Sequence, residues 1–297
     1  MKEDMDSVVE KADQSENRKS LNVTSNIRKA LGDPYFEQGE CLIYKGDCVG
    51  LMKALDPEIV DLTVTSPPYN IGKEYEESRP LEDYLDWSEE WIREVYRITR
   101  PYGAFWLNVG YTPDSPVAKA LPLPYLLWSR IPFYLIQEVV WNYGAGVAGK
   151  LFFSPRNEKC LWYVKNESQY TFHLDEVRDK NVKYPNQRKN GKLKCNPLGK
   201  NPTDVWEIAK VTSGKNRSSK ERMPHPAQFP EALISRIIKA STSLGDLVCD
   251  PFLGSGTTAA VSLAHQRPFL GFEIREEYCE MAAKRVEKFV QAPELFA

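Results

Sequence analysis

The chain has 297 residues, 42% of them hydrophobic, and sets 39 Lys and Arg against 41 Asp and Glu for a net charge of −2. That length supports one large α/β domain with an insertion, or two modest domains, and the near-neutral balance excludes a nucleic-acid partner held by global basicity, so any such partner must meet a local patch. No apolar run approaches the ~20 residues that cross a bilayer, the segment Met1 to Lys19 has no apolar signal-peptide core, and the six cysteines form no Cys-x-x-Cys pair beside only three histidines, so the chain is expected to be cytoplasmic, with reduced thiols, no membrane contact and no metal site.

In chain order, residues 1–34 read as a flexible polar tail or loose first helix, with order expected from about Tyr35. Cys41 to Tyr44 is a short strand, followed by Lys45-Gly46-Asp47 and a small helix to about Leu55. Val60 to Val64 is a buried strand that runs into Ser66-Pro67-Pro68-Tyr69, where two prolines end sheet pairing. Pro80 opens a helix whose residues Leu81, Tyr84, Leu85, Ser88, Trp91, Ile92, Val95 and Ile98 recur at helical spacing. Gly103 closes that unit and Ala104 to Val109 is the next strand. A helix over Ala118 to Ser129, a strand over Tyr134 to Trp141, and a hairpin made from Lys159 to Val164 and Tyr170 to Phe172 come next. After an irregular stretch, helix Pro230 to Ala240, strand Asp246 to Asp250, a glycine loop, helix Thr257 to His265, strand Pro268 to Glu273 and helix Glu276 to Val290 resume the alternation. Repeated strand–helix units at both ends predict an α/β fold with a doubly wound, mostly parallel sheet.

Two segments carry chemistry. Asp250-Pro251-Phe252-Leu253-Gly254-Ser255-Gly256-Thr257-Thr258 joins a strand to a helix. Its glycines let the backbone approach a ligand, and free N–H groups at the helix start favour a carboxylate or phosphate. Glu273, at the end of the next strand, can accept hydrogen bonds from both hydroxyls of a ribose. A phosphate-binding loop of the NTPase kind would need a lysine where Thr257 stands; a dinucleotide site tolerates Ala259 at its third glycine position and stays open, as does a plain tight turn. The second segment, Thr65-Ser66-Pro67-Pro68-Tyr69, sits at the C-terminal end of a strand, where open α/β sheets bind ligands. Its prolines stiffen the loop and remove donors, leaving carbonyls and the Ser66 hydroxyl as acceptors for an exocyclic amine, and Tyr69 offers a face for stacking. A rigid turn capped by an aromatic explains that segment equally well when it is taken alone.

Taken together, Thr-Ser-Pro-Pro-Tyr and Asp-Pro-Phe-Leu-Gly-Ser-Gly-Thr-Thr resemble the amino-methyltransferases of bacterial and archaeal restriction–modification systems. The order, catalytic segment first and glycine loop near the C-terminus, is that of their circularly permuted β class. The resemblance implies a Rossmann-like sheet of seven strands with one antiparallel excursion, entered at Cys41–Tyr44 beside the last strand. It also implies S-adenosyl-L-methionine as cofactor, held by Asp47, His225, Pro226, Asp250, Pro251, Phe252, Gly254, Ser255, Gly256, Thr257 and Glu273. Ser66, Pro67, Pro68 and Tyr69 would then be catalytic: the base is flipped out of the duplex, Ser66 Oγ and the Pro67 carbonyl accept the two amine hydrogens, and Tyr69 stacks on the ring. Serine at position 66, where many adenine-N6 enzymes carry aspartate, favours N4 of cytosine, with adenine N6 as the alternative.

Between Arg178 and Arg222 stand thirteen Lys and Arg against four Asp and Glu, a local net charge of +9. A solvated loop explains such a stretch; family analogy makes it the target-recognition insert, with Arg188, Lys189, Lys192, Lys194, Lys215 and Arg217 meeting phosphates of double-stranded DNA. The expected organisation is a catalytic half over 35–175, the basic insert over 176–223 and a cofactor-binding half over 224–297. A cognate restriction endonuclease is the functional partner that this reading implies, and the protein itself is expected as a monomer or homodimer. An NAD-dependent or nucleotide-using enzyme and a non-catalytic DNA-binding regulator are the rival classes.

Overall fold

The computed structural model describes residues 23–73, 76–113, 118–146, 148–212 and 221–291. Helix α1 spans 23–31, and Ile27 on it is 1% exposed in the core. Order therefore begins earlier than the expected Tyr35, because one apolar side chain in an otherwise polar segment finds a buried seat. There follow β1 (Phe36–Gln38), β2 (Cys41–Lys45), α2 (Cys48–Lys53), β3 (Val60–Thr65), α3 (Leu81–Ile98), β4 (Thr99–Val109), the two-residue strands β5 (Tyr111–Thr112) and β6 (Leu121–Pro122), and α4 (Leu123–Leu127). The chain continues through β7 (Tyr134–Asn142), β8 (Asn157–Val164), β9 (Arg188–Lys189), β10 (Lys192–Leu193), β11 (Val205–Glu207), α5 (Glu231–Ser241), β12 (Val248–Asp250), α6 (Thr257–Ala264), β13 (Phe269–Glu273) and α7 (Glu276–Gln291).

The main sheet has the order β1-β2-β13-β12-β3-β4-β8-β7-β11. Pairing is parallel from β2 to β4, antiparallel on both sides of β8, and parallel again from β7 to β11. The seven expected strands are its centre, and the short strands β1 and β11 extend its edges. The first long strand, β2, lies beside the last, β13, with Cys41 opposite Phe269.

Both faces are covered. On β4, Phe105, Leu107 and Val109 point into a core shared with Trp91, Ile92 and Val95 of α3, while Ala104 and Trp106 point into a second core with Leu233, Ile234 and Ile237 of α5. This period-2 division over two buried faces is why the strands read as nearly continuous apolar runs.

Three expected elements moved. The helix placed over Ala118 to Ser129 is only Leu123–Leu127, since Pro122 and Pro124 can stand at its start but not inside it. Strand β4 starts at Thr99 rather than Ala104, and its register against β3 shifts between Val60 and Leu62. The antiparallel strand is β8, as expected, but its hairpin partner is β7; Tyr170 and Phe172 form no strand and instead pack against Trp162, with ring centroids 5.6 and 5.2 Å away. Among the described residues no helix is long and apolar enough to cross a membrane.

Candidate active site

Parallel strands place their C-terminal ends on one edge, and that edge carries Asp47 after β2, Ser66 to Tyr69 after β3, Asn108 near the end of β4, the loop after β12 and Glu273 at the end of β13. Strand β8 runs the other way, so it is its beginning, with Glu158 opposite Trp141 of β7, that reaches the same edge. These residues surround one cavity of about 670 Å³.

Most residues expected in a site line that cavity: Asp47, Ser66, Pro67, Pro68, Tyr69, His225, Pro226, Pro251, Phe252, Gly254, Ser255, Thr257 and Glu273. Asp250 and Gly256 stand behind the wall. Arg188, Lys189, Lys192 and Lys194 lie away from the cavity, exposed on the β9–β10 hairpin, and Lys215 and Arg217 fall outside the described residues.

At the glycine-loop end, Glu273 Oε2 accepts the Gly254 N–H (2.9 Å) and Oε1 accepts the Arg275 N–H (2.9 Å). Burial raises the Glu273 carboxyl, and those two donors pull it back. Gly256 caps α6 at φ +75°, and a Cβ there would lie 2.7 Å from Ala282, so only glycine fits. Gly254, at φ +52°, lies against His225: a Cβ would come within 3.0 Å of its Nε2. The His225 Nδ1 accepts the Ala227 N–H (3.2 Å), its ring meets Tyr278 edge-on at 4.5 Å, and burial pushes its pKa down to about 4, leaving a neutral ring beside the loop. Asp47 caps α2 through the Gly50 N–H (2.9 Å). Such a wall, with a carboxylate, spare backbone N–H groups and the aromatic and apolar sides of Phe252, Phe272 and Tyr278, suits an adenosine-bearing ligand.

Asp250 joins the two ends of the site. It is 1% exposed and accepts hydrogen bonds from Thr65 Oγ1 (2.6 Å), Thr258 Oγ1 (2.7 Å) and the Phe252 N–H (3.1 Å), tying the end of β3 to the glycine loop. Burial outweighs these bonds and pushes the carboxyl up to about 6. A folded value above the unfolded one means that the stability contribution is present below about pH 4 and lost as pH rises through about 6. Asp250→Asn keeps the shape without the charge. Relative to wild type, it is expected to gain on the order of 2–3 kcal/mol between pH 4.5 and 7.5. Thermal melts of both proteins at the two pH values check this; a difference that does not change with pH contradicts it.

At the other end the Ser-Pro-Pro-Tyr turn is held by a network that was not expected. Ser66 Oγ lies 2.9 Å from Tyr69 Oη, and the Asn108 Nδ2 donates to Tyr69 Oη (2.8 Å), Glu158 Oε2 (2.9 Å) and, more loosely, Ser66 Oγ (3.4 Å). Tyr69 Oη also reaches Glu158 Oε2 (3.2 Å). Lys210 Nζ pairs with Glu158 Oε1 (2.9 Å) and lies 3.7 Å from the Tyr143 ring centroid. Tyr84 donates to the Pro68 carbonyl (2.8 Å), fixing the turn from α3. Burial and the Glu158 carboxylate raise the Tyr69 phenol well above its ordinary value, so it stays protonated and can pass a hydrogen bond between Ser66 and Glu158. Asn108, Glu158 and Lys210 are absent from the sequence reading of the catalytic group. Asn108 offers a signal in retrospect, a polar residue inside an otherwise apolar strand; Glu158 and Lys210 are ordinary charges until the fold brings them together.

A glycine loop with a following acidic strand end, and a Ser-Pro-Pro-Tyr turn opening on the same cavity of a mostly parallel sheet, define the fold of an S-adenosylmethionine-dependent methyltransferase. The solved PvuII DNA methyltransferase (cytosine-N4-specific) has this fold, with a TM-score of 0.68 at 22% identity over 87% of this chain and 93% of that one. A DNA modification methylase from Thermus thermophilus, solved as a complex with S-adenosyl-L-methionine, aligns with a TM-score of 0.60 at 22% identity, covering 83% and 93%. A DNA methylase family model matches residues 60–284. Among relatives, the type II methyltransferase M.ScaI of Streptomyces caespitosus is 59% identical over 268 residues, 90% of this chain and 88% of the relative. The DNA adenine methyltransferase YhdJ of Escherichia coli (strain K12) is 34% identical over 82% of each chain. The chain belongs to this DNA methylase family and is a DNA methyltransferase.

Proposed function

We propose that this protein transfers a methyl group from S-adenosyl-L-methionine to the exocyclic N4 amine of cytosine in double-stranded DNA, in the circularly permuted order of the β class, as the modification partner of a restriction endonuclease. The observation that carries this reading is Ser66, an uncharged acceptor at the end of β3, facing the same cavity as the Gly254–Glu273 wall. The residues present fit the cofactor: Gly256 leaves no room for a side chain, and the Glu273 carboxylate is aimed into the cavity with acceptor capacity to spare for two hydroxyls. Glu273, the Gly254 loop, Asp47, Pro251, Phe252 and the His225–Pro226 segment would hold it. When bound, the cofactor supplies an electrophilic methyl group on a sulfonium.

The chain's own residues do the rest by positioning. Ser66 Oγ and the Pro67 carbonyl accept the two hydrogens of the flipped base's amine, which turns the nitrogen lone pair out of conjugation. Asn108 and Tyr69 hold Ser66 in place. Glu158 supplies the negative charge of the network, and a proton that reaches Ser66 after transfer can pass through Tyr69 Oη toward it. Tyr69 serves here through its hydroxyl as much as through its face.

Methylating plasmid DNA and mapping the modified base at nucleotide resolution tests this. N4-methylcytosine is the expected product; N6-methyladenine would overturn the base assignment, for which the 34% identity to an adenine methyltransferase is the specific support, and unmodified DNA would overturn the whole reading.

The same proposal divides the chain into a catalytic half over 35–175, a target-recognition insert over 176–223 and a cofactor half over 224–297. The insert carries a β9–β10 hairpin turned by Asn190 and Gly191, both at positive φ (51° and 77°), with all four strand residues exposed. A two-stranded ribbon of this kind fits a major groove. Charge reversal at Lys189, Lys192 and Lys194 is expected to weaken DNA binding at least tenfold, and to flatten its salt dependence, while leaving cofactor affinity unchanged. Equal loss of both affinities in paired titrations would give the hairpin a folding role instead.

A further inference from the structure

Strands β7 and β8 end at the cavity with the cross-strand pair Trp141 and Glu158, and the loop between them, residues 143–156, rises from that wall. Its base is closed by hydrogen bonds from Tyr143 N–H to the Arg156 carbonyl (3.0 Å) and from Ala145 N–H to the Tyr143 carbonyl (2.7 Å). Its far part presents Leu151 at 96% and Phe153 at 101% exposure. Phe152 between them is half-exposed and lies under Lys119 Nζ, 4.4 Å from its ring centroid. Two large apolar side chains held fully in water beside an active site mark an interaction surface. The loop's only charges are Lys150 and Arg156, so its surroundings suit a polyanion. Phe153 is five residues from Glu158, so it stays within about 18 Å of the cavity wall along the backbone.

We propose that Leu151 and Phe153 form a wedge that enters the base stack of duplex DNA and fills the gap left when the target nucleotide turns into the cavity. The inference rests on the DNA-methyltransferase reading above and adds to it the element that holds the duplex open. Extruding a base removes stacking from both of its neighbours, and apolar side chains inserted between base steps replace that contact. No charge neutralisation is asked of the wedge; Lys150 and Arg156 face the flanking phosphates.

The test uses the full chain and a duplex that contains its mapped site, with 2-aminopurine at the target position as an unstacking reporter. The variants are Phe153→Ala, the double variant Leu151→Ala/Phe153→Ala, and Phe153→Trp. The double variant is expected to lose 10- to 100-fold in kcat/KM and most of the fluorescence rise on binding, with cofactor affinity unchanged. A mispaired target, which leaves the stack more readily, restores most of the lost rate, and Phe153→Trp stays near wild type. Wild-type rate and fluorescence in the double variant would overturn the proposal. So would an equal loss on paired and mispaired duplexes accompanied by a changed sedimentation coefficient, which would make a second copy of the chain the occupant. Failure of the underlying reading looks different: the wild-type protein would leave the plasmid unmethylated.

Discussion

Ser66→Ala lowers kcat by about 10²–10³-fold and leaves cofactor affinity within about twofold. The loss is large because Ser66 Oγ is the side-chain acceptor that the turn presents to an amine, and its position is set by Tyr69 Oη at 2.9 Å and Asn108 Nδ2 at 3.4 Å rather than by solvent. Removing it leaves the amine one acceptor short, so the lone pair is no longer directed, and it leaves Tyr69 with Asn108 and Glu158 as partners. The cofactor wall does not share these bonds: Glu273, Gly254 and Arg275 form their own set. Single-turnover methyl transfer and a cofactor titration on the same preparation check both halves of the expectation. A variant that methylates at the wild-type rate would remove Ser66 from the reaction.

Glu158→Gln lowers kcat by about 10²-fold, with a modest loss of thermal stability. The substitution keeps the shape and one acceptor while removing the charge that meets Lys210 at 2.9 Å, Asn108 at 2.9 Å and Tyr69 at 3.2 Å. Lys210 retains the Tyr143 ring at 3.7 Å, so the site keeps its outline and gains an uncompensated positive charge. That charge opposes a second positive charge forming on the methylated amine. Glu158 and Ser66 share one network, so the double variant Ser66→Ala/Glu158→Gln is expected to lose little more than Ser66→Ala alone. Additive losses in a double-mutant cycle would show that Glu158 acts elsewhere.

Much of this molecule was legible from its residues. Local patterns named the helix Leu81–Ile98 through apolar residues at 3 and 4 spacing, and the strand Val60–Thr65 through its apolar run ended by Pro67 and Pro68. The glycine loop was readable because φ values of +52° and +75° at Gly254 and Gly256 admit little else. The Asn190-Gly191 pair carried a hairpin signal that went unread, since only two paired residues flank it on each side. The Ala118 to Ser129 helix was overextended because Pro122 and Pro124 weigh against it only when taken as a boundary.

By itself the sequence determined the elements, the alternation that makes them one parallel sheet, and the two loops that open at its edge, because these depend on backbone preferences within a few neighbouring residues. Tertiary structure alone decided who joins Ser66 there. Glu158 enters the site because β8 runs antiparallel and brings its first residues to the edge where the parallel strands end, Lys210 because β11 pairs beside β7, and Asp250 because a strand from the far end of the chain lies next to β3. Charge and hydrogen bonding act through space over a few ångströms, and no spacing along the chain records which distant strands the sheet will set side by side.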